Sequence, residues 1–253
     1  MAPPKQASRS KPHRDTVTTK AVILAGGLGT RLRPLTLHKP KPLLPVGGRP
    51  ILEHIIGWLR TNGVVDIVIS TGYLGSMIER HLGDGSKLGV RIEYAFSDGP
   101  LGIGGQLRNA SSKLPSRFLC LYGDAILDFD LGRLLKYHSK RKDALLTMAL
   151  MKETIQTKYG VIELDRNGRV SLWKEKPVME NDINVGCYVM EKRYLDYVPR
   201  TQVAGMKEAF DSAMEAGEPI YGLRVRGAFW DIGDRRAYEE ADAHFQKPHG
   251  RPP

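Results

Sequence analysis

Apolar residues in this chain come in short runs that alternate with amphipathic stretches. KAVILA (20–25) is a compact apolar run ending in glycines, which predicts a buried strand. A helix follows from Pro50, with Ile51, Ile55, Trp58 and Leu59 on one face and Gly63 as its stop. VVDIVIS (64–70) predicts the next strand, and a helix follows near 75–82. VRIEYAF (90–96) alternates as a strand before a helix near 104–113. RFLCLY (117–122) is another buried strand, with a helix near 131–140. Strands alternating with helices predict an α/β fold with helices packed around a mostly parallel sheet.

The second half changes character. ALLTMALM, YGVIELD, RVSLWKEK and NVGCYVM predict strands with few helices between them, and DRNG (165–168) predicts a hairpin turn. This half is expected to finish the same sheet and wall one side of a site, with helices near 205–216 and 234–246 closing the domain. Residues 1–19 are rich in Pro, Ser and basic residues and predict a disordered basic arm. The arm lacks the apolar core of a secretory signal, and its prolines oppose the amphipathic helix of a transit peptide. Residues 247–253 predict a frayed tail, which leaves 20–246 as one domain.

Composition narrows the class. Of 253 residues, 41% are hydrophobic and 26% charged, which fits a soluble globular protein, and no apolar run is long enough to span a bilayer. The net charge is +10, but the first twenty residues carry +4 of it and the last seven +2. With so little excess in the body and no basic stripe interleaved with aromatics, nucleic acid is not the expected partner. Cys120 and Cys187 lie in apolar strand-like runs and are expected to be buried, reduced thiols of a cytoplasmic protein.

The chemistry concentrates in VILAGGLGTRLRPLTLHKPKPLLPV (22–46). Gly26, Gly27 and Gly29, followed by Thr30, can turn sharply after a buried strand and present backbone N–H groups to an anion. Arg31 and Arg33 offer guanidinium forks that match phosphate oxygens. Lys41, framed by Pro40 and Pro42, is expected on a stiff extended segment. The loop has neither the Gly-Lys-Ser/Thr of a P-loop nor the G-x-G-x-x-G dinucleotide spacing. Asp124, just past a strand end, and Asp231, in WDIGD, are hard-oxygen candidates for a divalent ion. Asp128 and Asp130 read better as a helix start than as a metal pair.

GGLGTRLRPLT followed by PKPLLPV resembles the signature of the sugar-1-phosphate nucleotidylyltransferases. The likeness continues through PLGIGG (100–105), YGD (122–124), YGV (159–161), EKP (175–177), NVG (184–186) and WDIGD (230–234). It implies a Rossmann-like three-layer α/β/α nucleotidyltransferase fold with a mixed, mostly parallel central sheet. The implied activity joins an NTP and a sugar 1-phosphate into an NDP-sugar and pyrophosphate, with Mg²⁺. Enzymes making GDP-mannose, and those making dTDP-, UDP- or CDP-glucose, are the most similar.

By that resemblance the main chain of Leu24, Ala25, Gly26, Gly27, Gly29 and Thr30 holds the nucleotide. Arg31 binds the departing phosphates, Lys41 the α-phosphate, and Gly102 lies against the base. Asp124 and Asp231 become the metal pair. Lys176 meets the sugar phosphate, Glu175 the sugar hydroxyls, and Gly160 and Asn184 add sugar contacts. The base-reading segment departs from the family pattern, running Ser97, Asp98, Gly99, Pro100, Leu101, Gly102, Ile103, Gly104, Gly105, and leaves base and sugar open. Subunit count is open too, a homo-oligomer included. The other readings are a regulator of the same fold without turnover, a glycosyltransferase using Asp128 and Asp130, and a nucleotidyltransferase acting on a non-sugar phosphate. The presence of Arg31, Lys41, Asp124, Lys176 and Asp231 favours the enzyme, and EKP with NVG favours a sugar.

Overall fold

The computed structural model describes residues 19–200 and 203–247, so the predicted arm over 1–19, but for Thr19, and the predicted tail over 247–253, but for Lys247, lie outside the described residues. In chain order the elements are β1 (Lys20–Leu24), β2 (Pro45–Val46), β3 (Arg49–Pro50), α1 (Ile51–Thr61), β4 (Asp66–Thr71), α2 (Gly75–Leu82), β5 (Arg91–Phe96) and α3 (Gly102–Asn109). Then come β6 (Arg117–Tyr122), β7 (Ala125–Phe129), α4 (Leu131–Ser139), β8 (Leu146–Gln156), β9 (Val161–Leu164), β10 (Val170–Lys174) and β11 (Val178–Glu191). The last are α5 (Met206–Glu215), β12 (Ile220–Arg224), β13 (Gly227–Asp231) and α6 (Arg235–Gln246).

Seven strands form the central sheet in the order β12-β8-β11-β6-β1-β4-β5. β1 runs parallel to β4 and β6, β4 to β5, and β12 to β8; β11 alone runs antiparallel to both its neighbours. The sheet is therefore mixed and mostly parallel, as expected. Both its faces are buried, which explains why β1 and β6 read as continuous apolar runs. Ala21, Ile23, Leu119 and Leu121 enter one core with α1, α2, α4 and α6. Val22, Leu24, Phe118 and Cys120 enter the other with α3 and α5. Helix, sheet and helix make three layers. Cys120 and Cys187 fall in opposite cores, so the sheet itself separates the two buried thiols.

Past Leu150 and before Asn184, β8 and β11 leave the sheet as an antiparallel ribbon that carries the β9–β10 hairpin as an outlying arm. The DRNG turn closes that hairpin, with the Gly168 N–H donating to the Asp165 carbonyl. Asp130 caps α4 by accepting from the Arg133 N–H at 3.3 Å, as expected. Asp128 instead lies on β7, an element that its neighbour's capping role conceals in the sequence. Lys41 departs from its expected extended backbone. Pro40 is extended, but Lys41 opens a 3-10 turn over Lys41–Leu43, because Pro42 at its second position tolerates a missing N–H there.

Candidate active site

β1, β4 and β6 end together, and the loops beyond their carboxyl ends meet, the place where open α/β sheets bind ligands. The Ala25 N–H donates to the Ser70 carbonyl and the Gly123 N–H to the Leu24 carbonyl, stitching the three strand ends at 2.8 and 2.9 Å. A Cβ on Gly123 would lie 2.8 Å from the Leu24 oxygen, so only glycine allows the loop before Asp124 to pass so near.

The glycine loop is braced from two sides. The Gln106 side chain on α3 accepts from the Gly26 N–H at 2.7 Å, and the buried Thr36 hydroxyl donates to the Gly29 carbonyl at 2.8 Å. Gly29 has φ of 61°, and a Cβ there would press on Thr36 and Lys41. Gly27 faces open space. The N–H groups of Gly27, Leu28 and Gly29 donate to no acceptor among the described residues, and so stay available to an anion. Arg31 follows in a short 3-10 turn with its side chain exposed.

Lys41 is buried, yet its Nζ reaches Asp124 Oδ2 at 2.7 Å. Asp124 is bracketed by β6 and β7. β13 pairs antiparallel with β7, placing Asp231 opposite Ala125, and the Ile232 N–H donates to the Asp124 carbonyl. The two acids are thereby set side by side. Asp231 keeps contact with solvent as a residue, but its surroundings hold its carboxyl above the ordinary range. Desolvation is the leading cause and the like charge of Asp124 the next, with Lys41 and Arg31 opposing. The space beside Gly233 is flanked by both Asp231 and Arg31, at 3.2 and 3.5 Å from a notional Cβ. Arg31, Lys41, Asp124 and Asp231, spread over two hundred residues, thus form one cluster of two cations and two carboxylates.

The remaining predicted residues group on the arm and its base. A Cβ on Gly160 would sit 3.1 Å from Glu175 Oε2 and 3.3 Å from Trp173 Nε1, so Gly160 and Glu175 are neighbours. Lys176 follows β10 with φ of 42°, a left-handed backbone that a lysine rarely adopts. Asn184 pairs with Leu150 of β8 immediately before the β8–β11 register shifts, the next pair being Tyr188 with Met148. Its Nδ2 donates to the Tyr188 hydroxyl, which donates to the Tyr122 hydroxyl at 2.9 Å, two residues before Asp124. Burial pushes the Tyr122 hydroxyl up to about 12, so this chain stays protonated. No hydrogen bond or ion pair joins Glu175 or Lys176 to the four-charge cluster among the described residues.

Gly102, at the start of α3, has φ of 67°, and a Cβ there would lie 2.4 Å from the Ala204 carbonyl oxygen. That carbonyl accepts from the N–H groups of Gly104 and Gly105. The missing side chain at Gly102 is thus required by the chain's own packing. Thr36, Gln106, Tyr122 and Tyr188 are positioning residues that the sequence reading did not single out. Thr36 and Tyr122 were inside the quoted motifs, but nothing local marks them as braces.

The sequence profile of the nucleotidyl transferase family matches residues 20–247. The chain is 37% identical to mannose-1-phosphate guanylyltransferase of Mycobacterium tuberculosis, over 84% of this chain and 60% of that protein. It is 33% identical to UTP–glucose-1-phosphate uridylyltransferase of Synechocystis sp., over 88% of this chain and 62% of that protein. It therefore spans about three fifths of the length of the curated relatives it matches. Among solved structures, HddC from Yersinia pseudotuberculosis superimposes with a TM-score of 0.70 at 26% identity, covering 90% of this chain and 99% of that one.

Proposed function

Because this chain belongs to the nucleotidyl transferase family, we propose that it transfers a nucleotidyl group from an NTP to a sugar 1-phosphate, releasing pyrophosphate. The observation that carries the reading is the cluster of Lys41, Asp124, Asp231 and Arg31 beside a braced glycine loop. In-line attack of one phosphate on another needs two anions held together and charge on the leaving group stabilised. The free N–H groups of Gly27 to Gly29 receive the triphosphate, with Leu24, Ala25, Gly26 and Thr30 shaping the pocket. Lys41 sits at the α-phosphate, held there by Asp124 until substrate arrives, and Arg31 meets the departing pyrophosphate. Gly102, with α3, bounds the base.

Asp124 and Asp231 suit Mg²⁺. Both are hard carboxylates set side by side, and a divalent ion would relieve the desolvation and, after it, the like charge of Asp124 that raise the Asp231 carboxyl. When bound, Mg²⁺ supplies charge neutralisation at phosphate oxygens. On the arm, Lys176 neutralises the sugar 1-phosphate, Glu175 accepts sugar hydroxyls, and Gly160 and Asn184 complete the sugar contacts. Residues 20–246 act as one catalytic domain in the cytoplasm. Similarity to a mannose-1-phosphate guanylyltransferase and to a UTP–glucose-1-phosphate uridylyltransferase supports a lean to GDP-mannose or a glucose nucleotide as product.

The test is pyrophosphate release with Mg²⁺, pairing GTP, dTTP, UTP, CTP and ATP with mannose, glucose, galactose and N-acetylglucosamine 1-phosphates. One productive pair is expected. NTP binding with no productive pair would favour a regulator, or an acceptor phosphate that is not a sugar.

A further inference from the structure

Gln106 stands on α3, one residue past the segment that departs from the family pattern. The residue is 7% exposed and lies against the ends of two strands. Its Oε1 accepts from the Gly26 N–H at 2.7 Å, and its main-chain carbonyl accepts from the Ser70 hydroxyl at 3.2 Å. A Cβ on Gly26 would lie 2.8 Å from Oε1 and 3.3 Å from the Gly72 nitrogen, so the amide is seated where Gly26 has no side chain. A backbone N–H can only donate, which fixes Oε1 toward Gly26 and leaves Nε2 as the other end of the amide. Nε2 donates to no acceptor among the described residues. Among those residues the Thr71 hydroxyl is the one fully buried side-chain polar atom without a partner. The unpartnered Nε2 of Gln106 is therefore open to solvent, beside the first glycine of the loop.

We infer that Gln106 reads the base of the nucleotide, selecting a keto oxygen over an amino group on the edge remote from the sugar. The inference rests on the proposed binding of an NTP by the glycine loop. With the triphosphate on the free N–H groups of Gly27 to Gly29, the base meets the wall made by Gly26 and α3. Guanine, uracil and thymine carry a keto oxygen on their remote edge, and adenine and cytosine carry an amino group. With Oε1 committed to Gly26, the side chain offers donors alone. A keto oxygen accepts such a bond; an amino group would leave two donors facing each other.

The bond to Gly26 is what makes the residue selective. A glutamine free to flip would accept from an amino group as readily as it donates to a keto oxygen. Gly26 removes that choice, because a flipped amide would set Nε2 against the Gly26 N–H inside a buried contact. The brace on the loop and the reading of the base are thus two ends of one amide. The triphosphates that satisfy it are GTP, UTP and dTTP.

Isothermal titration calorimetry of the full chain at fixed Mg²⁺ tests this with matched pairs that differ only on the remote edge of the base. The pairs are UTP with CTP, dTTP with 5-methyl-dCTP, and GTP with the triphosphate of 2,6-diaminopurine riboside. In whichever pair fits the pocket, wild type is expected to bind the keto member at least about tenfold more tightly. Gln106→Glu keeps an acceptor for the Gly26 N–H and replaces the donor by a second acceptor. It is expected to weaken all the triphosphates and to reverse the preference within the pair. Gln106→Met removes both groups and should bring the ratio near one. Loosening of the loop alone would weaken both members alike and leave their ratio unchanged. If Gln106→Met fails to fold, Gln106→Glu decides by itself. A wild-type preference for the amino member, or an unchanged keto preference in Gln106→Glu, overturns the inference and leaves the proposed function standing. No binding of any of the six overturns the inference, and no binding of ATP either overturns the proposed function as well.

Discussion

Lys41 and Asp124 are 83 residues apart in the chain and 2.7 Å apart in space. The lysine is buried and the carboxylate half-exposed, so the contact serves to place Nζ at the mouth of the glycine loop more than to stabilise the fold. Asp124→Asn removes the acid that orients Lys41 and opposes Asp231. Turnover is expected to fall about 10²–10⁴-fold, and Mg²⁺ dependence to weaken with it. A Mg²⁺ titration of initial rates reads both, and an unchanged midpoint and rate would remove Asp124 from the site.

Asp231 gives a prediction with a sign. Its folded carboxyl is raised above the ordinary value of 3.8. Between those two values the folded chain binds more protons than the unfolded one, so stability falls as pH rises through that window. The penalty is fully present above the raised value and absent below the ordinary one. Asp231→Asn should therefore raise Tm near neutral pH and leave it unchanged in acid, while activity is lost. Thermal melts across pH check this, and equal melting curves at neutral pH would contradict the electrostatic reading.

Thr36 reaches the loop from behind, its buried hydroxyl donating to the Gly29 carbonyl. Thr36→Val keeps the shape and deletes the bond, leaving the Gly29 carbonyl with the Leu32 N–H as its one remaining donor among the described residues. Stability should drop by about 1–2 kcal/mol. The KM for NTP should rise severalfold with kcat little changed, because the loop is loosened but the charges remain. A large loss of kcat at constant KM would instead mean that Thr36 acts on the chemical step.

At Gly102, φ of 67° and the Ala204 oxygen both exclude a side chain. Gly102→Ala is expected to cost about 2–4 kcal/mol in denaturant unfolding without any ligand present. A neutral effect on stability, with nucleotide binding alone impaired, would show that the glycine serves the base and not the packing.

Tyr188 links the arm's base to the strand that carries Asp124. Tyr188→Phe breaks the hydroxyl relay between Asn184 and Tyr122 at a cost of about 1 kcal/mol in stability. The KM for the sugar 1-phosphate should rise while that for NTP holds. Equal effects on both substrates would argue for a general loosening of the sheet.

The two-sided burial of β1 and β6 made those strands legible, since alternate residues feed opposite cores and both must be apolar. The one-sided stripe of α1 was legible for the same reason, with Ile51, Ile55 and Leu59 all buried. β7 escaped because ILDF sits between an Asp and a helix cap and looks like the approach to α4. β12 escaped because Gly222 interrupts IYGLR. The outer halves of β8 and β11 are exposed on both faces, so no hydrophobic alternation announces them. The site's motifs could be read, but the meeting of Lys41 with Asp124 and of Asp124 with Asp231 is made by the sheet, through β6, β7 and β13. Gln106 and Tyr188 are braces whose partners lie far away in sequence, and no local pattern encodes such bonds.

The central claim is that Lys41 places a positive charge on the phosphate being attacked. The most direct test compares pyrophosphate release by wild type and Lys41→Ala in the productive NTP and sugar 1-phosphate pair, at saturating Mg²⁺ and with melting curves recorded for both. The account predicts turnover lower by orders of magnitude with Tm nearly unchanged. Near-normal turnover by a folded Lys41→Ala would contradict it.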